Sequence, residues 1–408
     1  MAPTVKIDDP FDQPPVTTGF ALFNYGFRPF FLLAGLMGAL GLALWVALFG
    51  GYADLGLQVD PALWHGHEML FGYTTAALAG FFLTVVPNWT RAKAQRGPVL
   101  MVLSALWLVG RVAYWGQGSL PYEWVAAADM AFLVVLTALV SGPLLKKQHR
   151  RQFVFVPILL CLIAGNAMTH AYVLGIDLWN VDWRWQGLVL GLDAAVLLVV
   201  VMGGRVTPSF TSSFLGHQNP NVKVAQRPGH DRWVLASMWG LVVFDQILPG
   251  TAWAGGVALI AAVLNGARLA GWQGLKVLNN PILWVLHLGY LWLVVGLALK
   301  GLGDFGVLPQ AAAWHGLTVG AIGTMTLAIM TRASLGHTGR TIKAHPLIVL
   351  AYGLVSAAAV LRLSVLVWPA SGAELISASG LAWSATFVLF SVIYAPILVR
   401  PRVDGRPG

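Results

Sequence analysis

The sequence predicts an all-α polytopic membrane protein of about twelve transmembrane helices, with a hint of three four-helix repeats and both termini cytoplasmic. Composition, the spacing of apolar runs and the placement of basic residues lead to that class. Of 408 residues, 57% are apolar and only 10% charged, with a mean hydropathy of +0.72. A soluble domain carries about 25% charged residues, so this chain is not soluble. Runs of roughly 20 apolar residues, enough to cross about 30 Å of hydrocarbon, fall near 30–50, 64–86, 98–116, 123–145, 152–174, 187–203, 233–249, 251–271, 281–300, 309–331, 346–368 and 378–398. Connections between them are short, and the longest polar stretch, Gly203–Arg232, lies mid-chain.

Basic residues set the orientation. Counting alternate loops, one side holds Lys6, Arg28, Arg91, Lys93, Arg96, Lys146, Lys147, Arg150, Arg151, Arg205, Lys223, Arg227, Arg232, Lys276, Arg332, Arg340, Lys343, Arg400, Arg402 and Arg406; the other holds only Arg184 and Lys300. The chain therefore divides into a cytoplasmic tail (1–29), one transmembrane domain (30–398) and a short cytoplasmic tail (399–408). Met1–Phe20 is polar, carries Asp8, Asp9 and Asp12, and has no signal-peptide pattern. Many of the 18 Trp sit near the ends of apolar runs, as an interfacial belt requires. Cys161 is the single cysteine, which excludes an internal disulfide and a cysteine-ligated cluster. The net charge of +9 follows membrane sidedness and does not call for nucleic acid.

Histidines on apolar helices carry the chemistry, because an ionisable group inside a bilayer is costly unless paired or ligated. His65 and His67 begin span 2 at the outer face, His315 begins span 10 about 9 Å in from Pro309, and His170 lies near the outer end of span 5. These four form an outer layer of candidate metal ligands, with Asp193 of span 6 at similar depth. His65 and His67 flank Gly66, so in a helical turn they face different sides and can serve different centres. Glu68 is placed to orient a ligand histidine or to relay protons, and Asn166 lies one turn before His170. His287, in the inner half of span 9, is a candidate for an inner site with His337 or His345, against the alternative of a polar helix–helix contact. Arg205, Arg332 and Arg340 follow inward-running spans; they suit haem propionates or a quinone headgroup, and positive-inside anchoring explains them equally. Arg111, Arg268 and Arg362 are expected to pair with Asp129, Asp193 or Asp245.

W-H-G opens span 2, W-Q-G (Trp185–Gly187) opens span 6, and W-H-G opens span 10, their middle residues 121 and 129 positions apart. Fixed-period similarity implies a repeated unit, here four helices used three times. Outer-side histidines on helices 2 and 10 resemble the core subunit of haem–copper oxidases and nitric oxide reductases, a resemblance that implies a haem clamped between those two helices. Spans 6 and 7 depart from that family, offering Asp193 and Asp245 where its copper histidines lie. A closer resemblance covers nearly the whole chain. F-R-P-F-F (Phe27–Phe31), W-H-G-H-E-M-L-F-G, A-G-F-F-L-T-V-V-P-N-W-T (Ala79–Thr90), G-G-R-V-T-P (Gly203–Pro208), and H-G-L-T-V-G-A-I-G-T-M-T-L through R-A-S-L-G-H-T-G-R are similar to the NnrS family. That resemblance implies a bacterial inner-membrane protein that binds haem (b-type) and copper and takes part in the nitric oxide response.

Three functions follow. The first is redox conversion of nitric oxide at a histidine-ligated haem and metal site, with quinol as electron donor and Glu68 and Asp193 as proton-handling groups. The second is non-catalytic binding of nitric oxide, haem or copper. The third, secondary transport, fits repeats and twelve spans, but the titratable groups favour the outer layer over the midplane. No Walker loop, dinucleotide fingerprint or C-x-x-C-H motif occurs.

Overall fold

The computed structural model describes residues 20–176, 182–219 and 222–406; the expectation for the tail through residue 19 falls outside them. Twelve long helices run α1 (Phe27–Phe49), α2 (Pro61–Thr90), α3 (Pro98–Trp115), α4 (Tyr122–Leu144), α5 (Phe155–Val173), α6 (Trp183–Gln218), α7 (Pro228–Ile247), α8 (Ala252–Ala270), α9 (Pro281–Asp304), α10 (310–337), α11 (Pro346–Ser364) and α12 (Gly372–Val399). No strand occurs among the described residues. Eleven are long and apolar enough to cross a membrane; the exception is α7, whose first turn carries His230, Asp231 and Arg232. The chain is thus a multi-pass membrane protein.

Five helices begin on proline (Pro61, Pro98, Pro228, Pro281 and Pro346), where the fixed φ suits the first turn and the missing N–H is not needed. Asp60 caps α2, its carboxylate accepting from Ala62 N at 2.7 Å and Leu63 N at 3.3 Å. Asp182 caps α6 in the same way, accepting from Arg184 N. These caps fix the register at which W-H-G and W-Q-G enter the membrane.

The three W-x-G helices form the centre of the bundle. Within the spanning windows of α2, α6 and α10, 83%, 89% and 67% of residues are buried, against 33–56% for the other eight candidate spans. Their glycines explain how central helices approach so closely. A Cβ on Gly187 would lie 2.5 Å from Gly165 O on α5, one on Gly316 would lie 3.2 Å from Gly296 Cα on α9, and one on Gly66 would lie 3.0 Å from Leu188 on α6. Small residues at such crossings let backbones touch.

Past the W-H-G turn, α2 and α10 both widen into π-helix, at Glu68–Thr74 and Gly316–Gly323; α6 stays α-helical. Trp107 Nε1 donates to Gly72 O at 3.1 Å and Thr74 Oγ1 to Met69 O at 2.9 Å, so carbonyls in the widened turn of α2 find partners. π-Turns occur frequently at functional sites because they re-aim side chains.

Helix α6 continues to Gln218, fifteen residues past the expected end at 203, through what reads as a polar stretch. Its buried face there is Thr207, Pro208, Thr211 and Leu215, and Thr211 Oγ1 donates back to Thr207 O at 2.8 Å. Thr211, satisfied on its own helix, reads as polar in sequence yet packs as an apolar group.

The first and last helices close the bundle. Fully buried Arg28 donates through Nη1 to Leu398 O at 2.8 Å and Arg400 O at 2.7 Å, tying down the open carbonyls of α12, while Ala21 N donates to Val399 O at 2.8 Å. A Cβ on Gly80 would fall 2.5 Å from the Phe31 ring, so the F-R-P-F-F and A-G-F-F motifs are two sides of one contact. Hydrogen bonds to charged groups contribute about 1.5–3 kcal/mol each. Arg28→Met is expected to lower stability by at least about 2 kcal/mol, read as an earlier thermal transition in detergent; an unchanged transition contradicts this closure.

Candidate functional site

Helices α2, α3, α4 and α5 bring a buried polar cluster together near their outer ends. His67 Nε2 lies 3.3 Å from Asp129 Oδ2, and His170 Nε2 lies 3.0 Å from the same oxygen. These three residues form a candidate metal-binding group, all buried. Asn166 joins them, with Oδ1 2.8 Å from His67 Nε2 and Nδ2 donating to Asp129 Oδ2 at 2.8 Å. The far ring nitrogens face acceptors: His170 Nδ1 is 3.1 Å from the Tyr122 hydroxyl, and His67 Nδ1 is 3.4 Å from Glu68 Oε1. Protons on both Nε2 atoms satisfy the cluster through Asn166 Oδ1 and Asp129 Oδ2. Moving them to the Nδ1 atoms turns two Nε2 lone pairs and a carboxylate oxygen toward one point, where a cation can take the protons' place. Ligand atoms of a tetrahedral centre with bonds of about 2.0–2.1 Å sit about 3.3 Å apart, close to the separations here. Outer hydrogen bonds that fix ligand tautomers are the usual companion of such a centre.

One guanidinium holds this cluster in shape. Arg111 of α3 is paired with both Glu68 and Asp129, and Trp115 Nε1 donates to the other oxygen of Glu68. A Cβ on Gly72 would lie 2.9 Å from Arg111 Nη1, so the glycine that ends H-E-M-L-F-G makes room for the arginine. Tyr114 stacks on His67 with centroids 3.8 Å apart.

On the opposite side of the same turn, His65 faces a cavity of about 370 Å³ between α1, α2, α6, α10, α11 and α12. His315 of α10 lines it too, as do Trp185, Trp314, Trp383 and Arg362. Such a volume is within the range of small-molecule pockets. His315 Nδ1 donates to Ala311 O at 2.5 Å, which leaves Nε2 as the ligating nitrogen. His65 stacks on Trp45 at 4.5 Å, and its Nδ1 is buried without a hydrogen-bond partner. Two imidazoles, one tied to a carbonyl and one orphaned, on apolar walls suit a flat metal macrocycle bound through both axes.

The remaining expected residues lie elsewhere. Asp193 belongs to a separate buried network, with Asp245 beside it and Lys300 Nζ 2.8 Å from both Asp245 Oδ1 and Asp304 Oδ2. His287 sits at the inner end against Thr211 Oγ1 at 2.9 Å and Trp272, whereas His337 packs on Tyr25 and Phe27 and His345 caps α11. Arg205 donates to Gln152 Oε1 at 2.6 Å and Arg332 lies over Phe210 at 3.6 Å. Neither these two nor Arg340 lines the cavity. Of the three arginines within the spans, Arg111 meets Asp129 as anticipated, Arg268 pairs instead with Asp231 at 2.9 Å, and Arg362 lines the cavity. Asp129 as a third ligand group, Tyr122 and Arg362 have no local sequence signature, since each is defined by partners on other helices.

Removing one partner from a buried ion pair costs about 3–5 kcal/mol. Arg111→Met is expected to reduce stability by that order, and Arg111→Met with Glu68→Gln and Asp129→Asn to recover part of it, both read by thermal unfolding in detergent. Equal stability of wild type and the single variant contradicts the bridging role.

Among curated proteins, none matches the chain. A family model described as NnrS protein matches residues 21–402, nearly its whole length.

Proposed function

Because the chain belongs to the NnrS family, we propose that it is a haem- and copper-binding protein of the bacterial inner membrane that acts on nitric oxide at the outer leaflet. The observation that carries this reading is the division of α2: His65 faces a cavity shared with His315, while His67, one residue beyond Gly66, faces Asp129 and His170. His65 and His315 would hold the haem, and His67, Asp129 and His170 the copper. The haem would supply one-electron chemistry beside a metal that, held by only three side chains, would leave room for a small diatomic ligand.

The chain's own residues arrange the rest. Glu68 lies against the Nδ1 atom of His67 and Tyr122 against that of His170, so protons seated on those two nitrogens would leave both Nε2 atoms to a metal. Arg111 neutralises one of the two buried carboxylates, so the cluster without a metal carries one net negative charge, which favours a cation. Apolar and aromatic side chains keep water from the haem cavity. This pairing supports redox conversion of nitric oxide, with quinol as the electron donor.

A non-catalytic reading has one specific observation in its favour. Glu68 is tied to Arg111 and Trp115, and Asp193 belongs to the Lys300 network, so neither expected carboxyl is free to deliver protons. Holding nitric oxide or copper needs no such group.

The test is an optical spectrum of the purified protein with an anaerobic nitric oxide consumption assay. A low-spin haem is expected in wild type, and His315→Ala is expected to convert it to a high-spin or haem-free form. Consumption driven by a quinol analogue supports turnover; binding without consumption supports the holding role. Absence of haem from wild type overturns the proposal.

A further inference from the structure

The cavity holds one charge that nothing in the protein answers. Arg362 lies near the outer end of α11 and lines the cavity beside the two histidines. Its positive charge is felt by both His65 and His315. Among the described residues it makes no ion pair and no hydrogen bond. Arg111 has two carboxylates, Arg28 the carbonyls at the end of α12, Arg268 the carboxylate of Asp231, and Arg332 the face of the Phe210 ring. A guanidinium left over on an otherwise aromatic and aliphatic wall is suited to a planar carboxylate brought in by a ligand.

The walls also have a direction. Helices α2 and α10 run inward from His65 and His315, so the deeper lining is Leu70, Tyr73, Val319 and Ile322. From His65 to Thr74 the wall descends about 13 Å along the helix axis. Charge is thus confined to the outer end, while the inner end is lined by apolar and neutral polar side chains. A macrocycle with acidic groups on one edge and hydrocarbon on the other fits in one sense only.

We propose that Arg362 docks the propionate carboxylates of the haem held by His65 and His315, setting its acidic edge toward the outer face and its apolar edge inward. This rests on the haem reading above. It moves the carboxylate-binding role from the inner arginines, Arg205, Arg332 and Arg340, to a residue on a different helix and at the other end of the bundle. It also makes the charge pair part of haem retention.

The test uses two probes, ferric protoporphyrin and its dimethyl ester, in which both propionates are blocked. Each is titrated optically into apoprotein purified from haem-depleted cells, for wild type, Arg362→Met and Arg362→Lys. Wild type is expected to bind the free acid at least about tenfold more tightly than the ester, the loss expected when one charged partner is removed. Arg362→Met is expected to bind both alike, and Arg362→Lys to retain part of the preference, because ammonium keeps the charge without the two-pronged geometry. Haem transfer from loaded Arg362→Met to a soluble apo-acceptor is expected to be faster than from wild type. Equal affinities in wild type, or a preference that survives in Arg362→Met, overturn the proposal. Failure of wild type to bind either probe instead overturns the haem reading itself, so the two failures are distinct. Should Arg362→Met not fold, the comparison of acid with ester in wild type still decides whether the carboxylates are bound.

Discussion

A single guanidinium between two buried carboxylates is the constraint on which the outer layer depends. Arg111 reaches from α3 to Glu68 on α2 and Asp129 on α4, and each carboxylate in turn faces an imidazole. Take the arginine away and two negative charges remain in a medium that solvates them poorly. With it in place, Asp129 presents one oxygen to His67 and His170, and Glu68 steadies the far side of the His67 ring. Four helices are thereby fixed to one another by polar contacts, in a solvent that gives apolar faces no reason to prefer each other over lipid.

The three-fold repeat gives this arrangement its economy and its asymmetry. Each inward-running central helix begins with Trp, a variable residue and Gly, and each glycine brings a neighbouring backbone close. The variable residue is His65 in α2, Gln186 in α6 and His315 in α10. Two copies thus bring an imidazole to the shared cavity and the third brings the Trp185 indole, which stacks on Trp314 at 5.6 Å. The π-turn follows the same division, present after both histidines and absent after the glutamine.

Much of this was legible in the sequence, for definable reasons. Apolar run length is a local, additive property, so the number of long helices could be read from it. The opposite facing of His65 and His67 follows from helix geometry alone. Asp129 was visible only as one of several intramembrane acids, because its place between two histidines depends on how α4 packs against α2 and α5. Arg362 was expected to meet an aspartate and faces a cavity that no linear pattern encodes. The length of α6 was hidden by polar-reading residues such as Thr211, whose hydroxyl bonds to its own helix. The inner arginines suited anionic ligands and membrane anchoring equally, and the sequence had no means of separating these.

The central claim is that adjacent histidines on one turn of α2 serve two independent centres. Haem and copper content measured side by side in purified His65→Ala and His67→Ala proteins tests it most directly. The account predicts that His65→Ala loses haem and keeps copper, and that His67→Ala loses copper and keeps haem. Loss of both cofactors from either variant, with the fold intact, or retention of both, contradicts it.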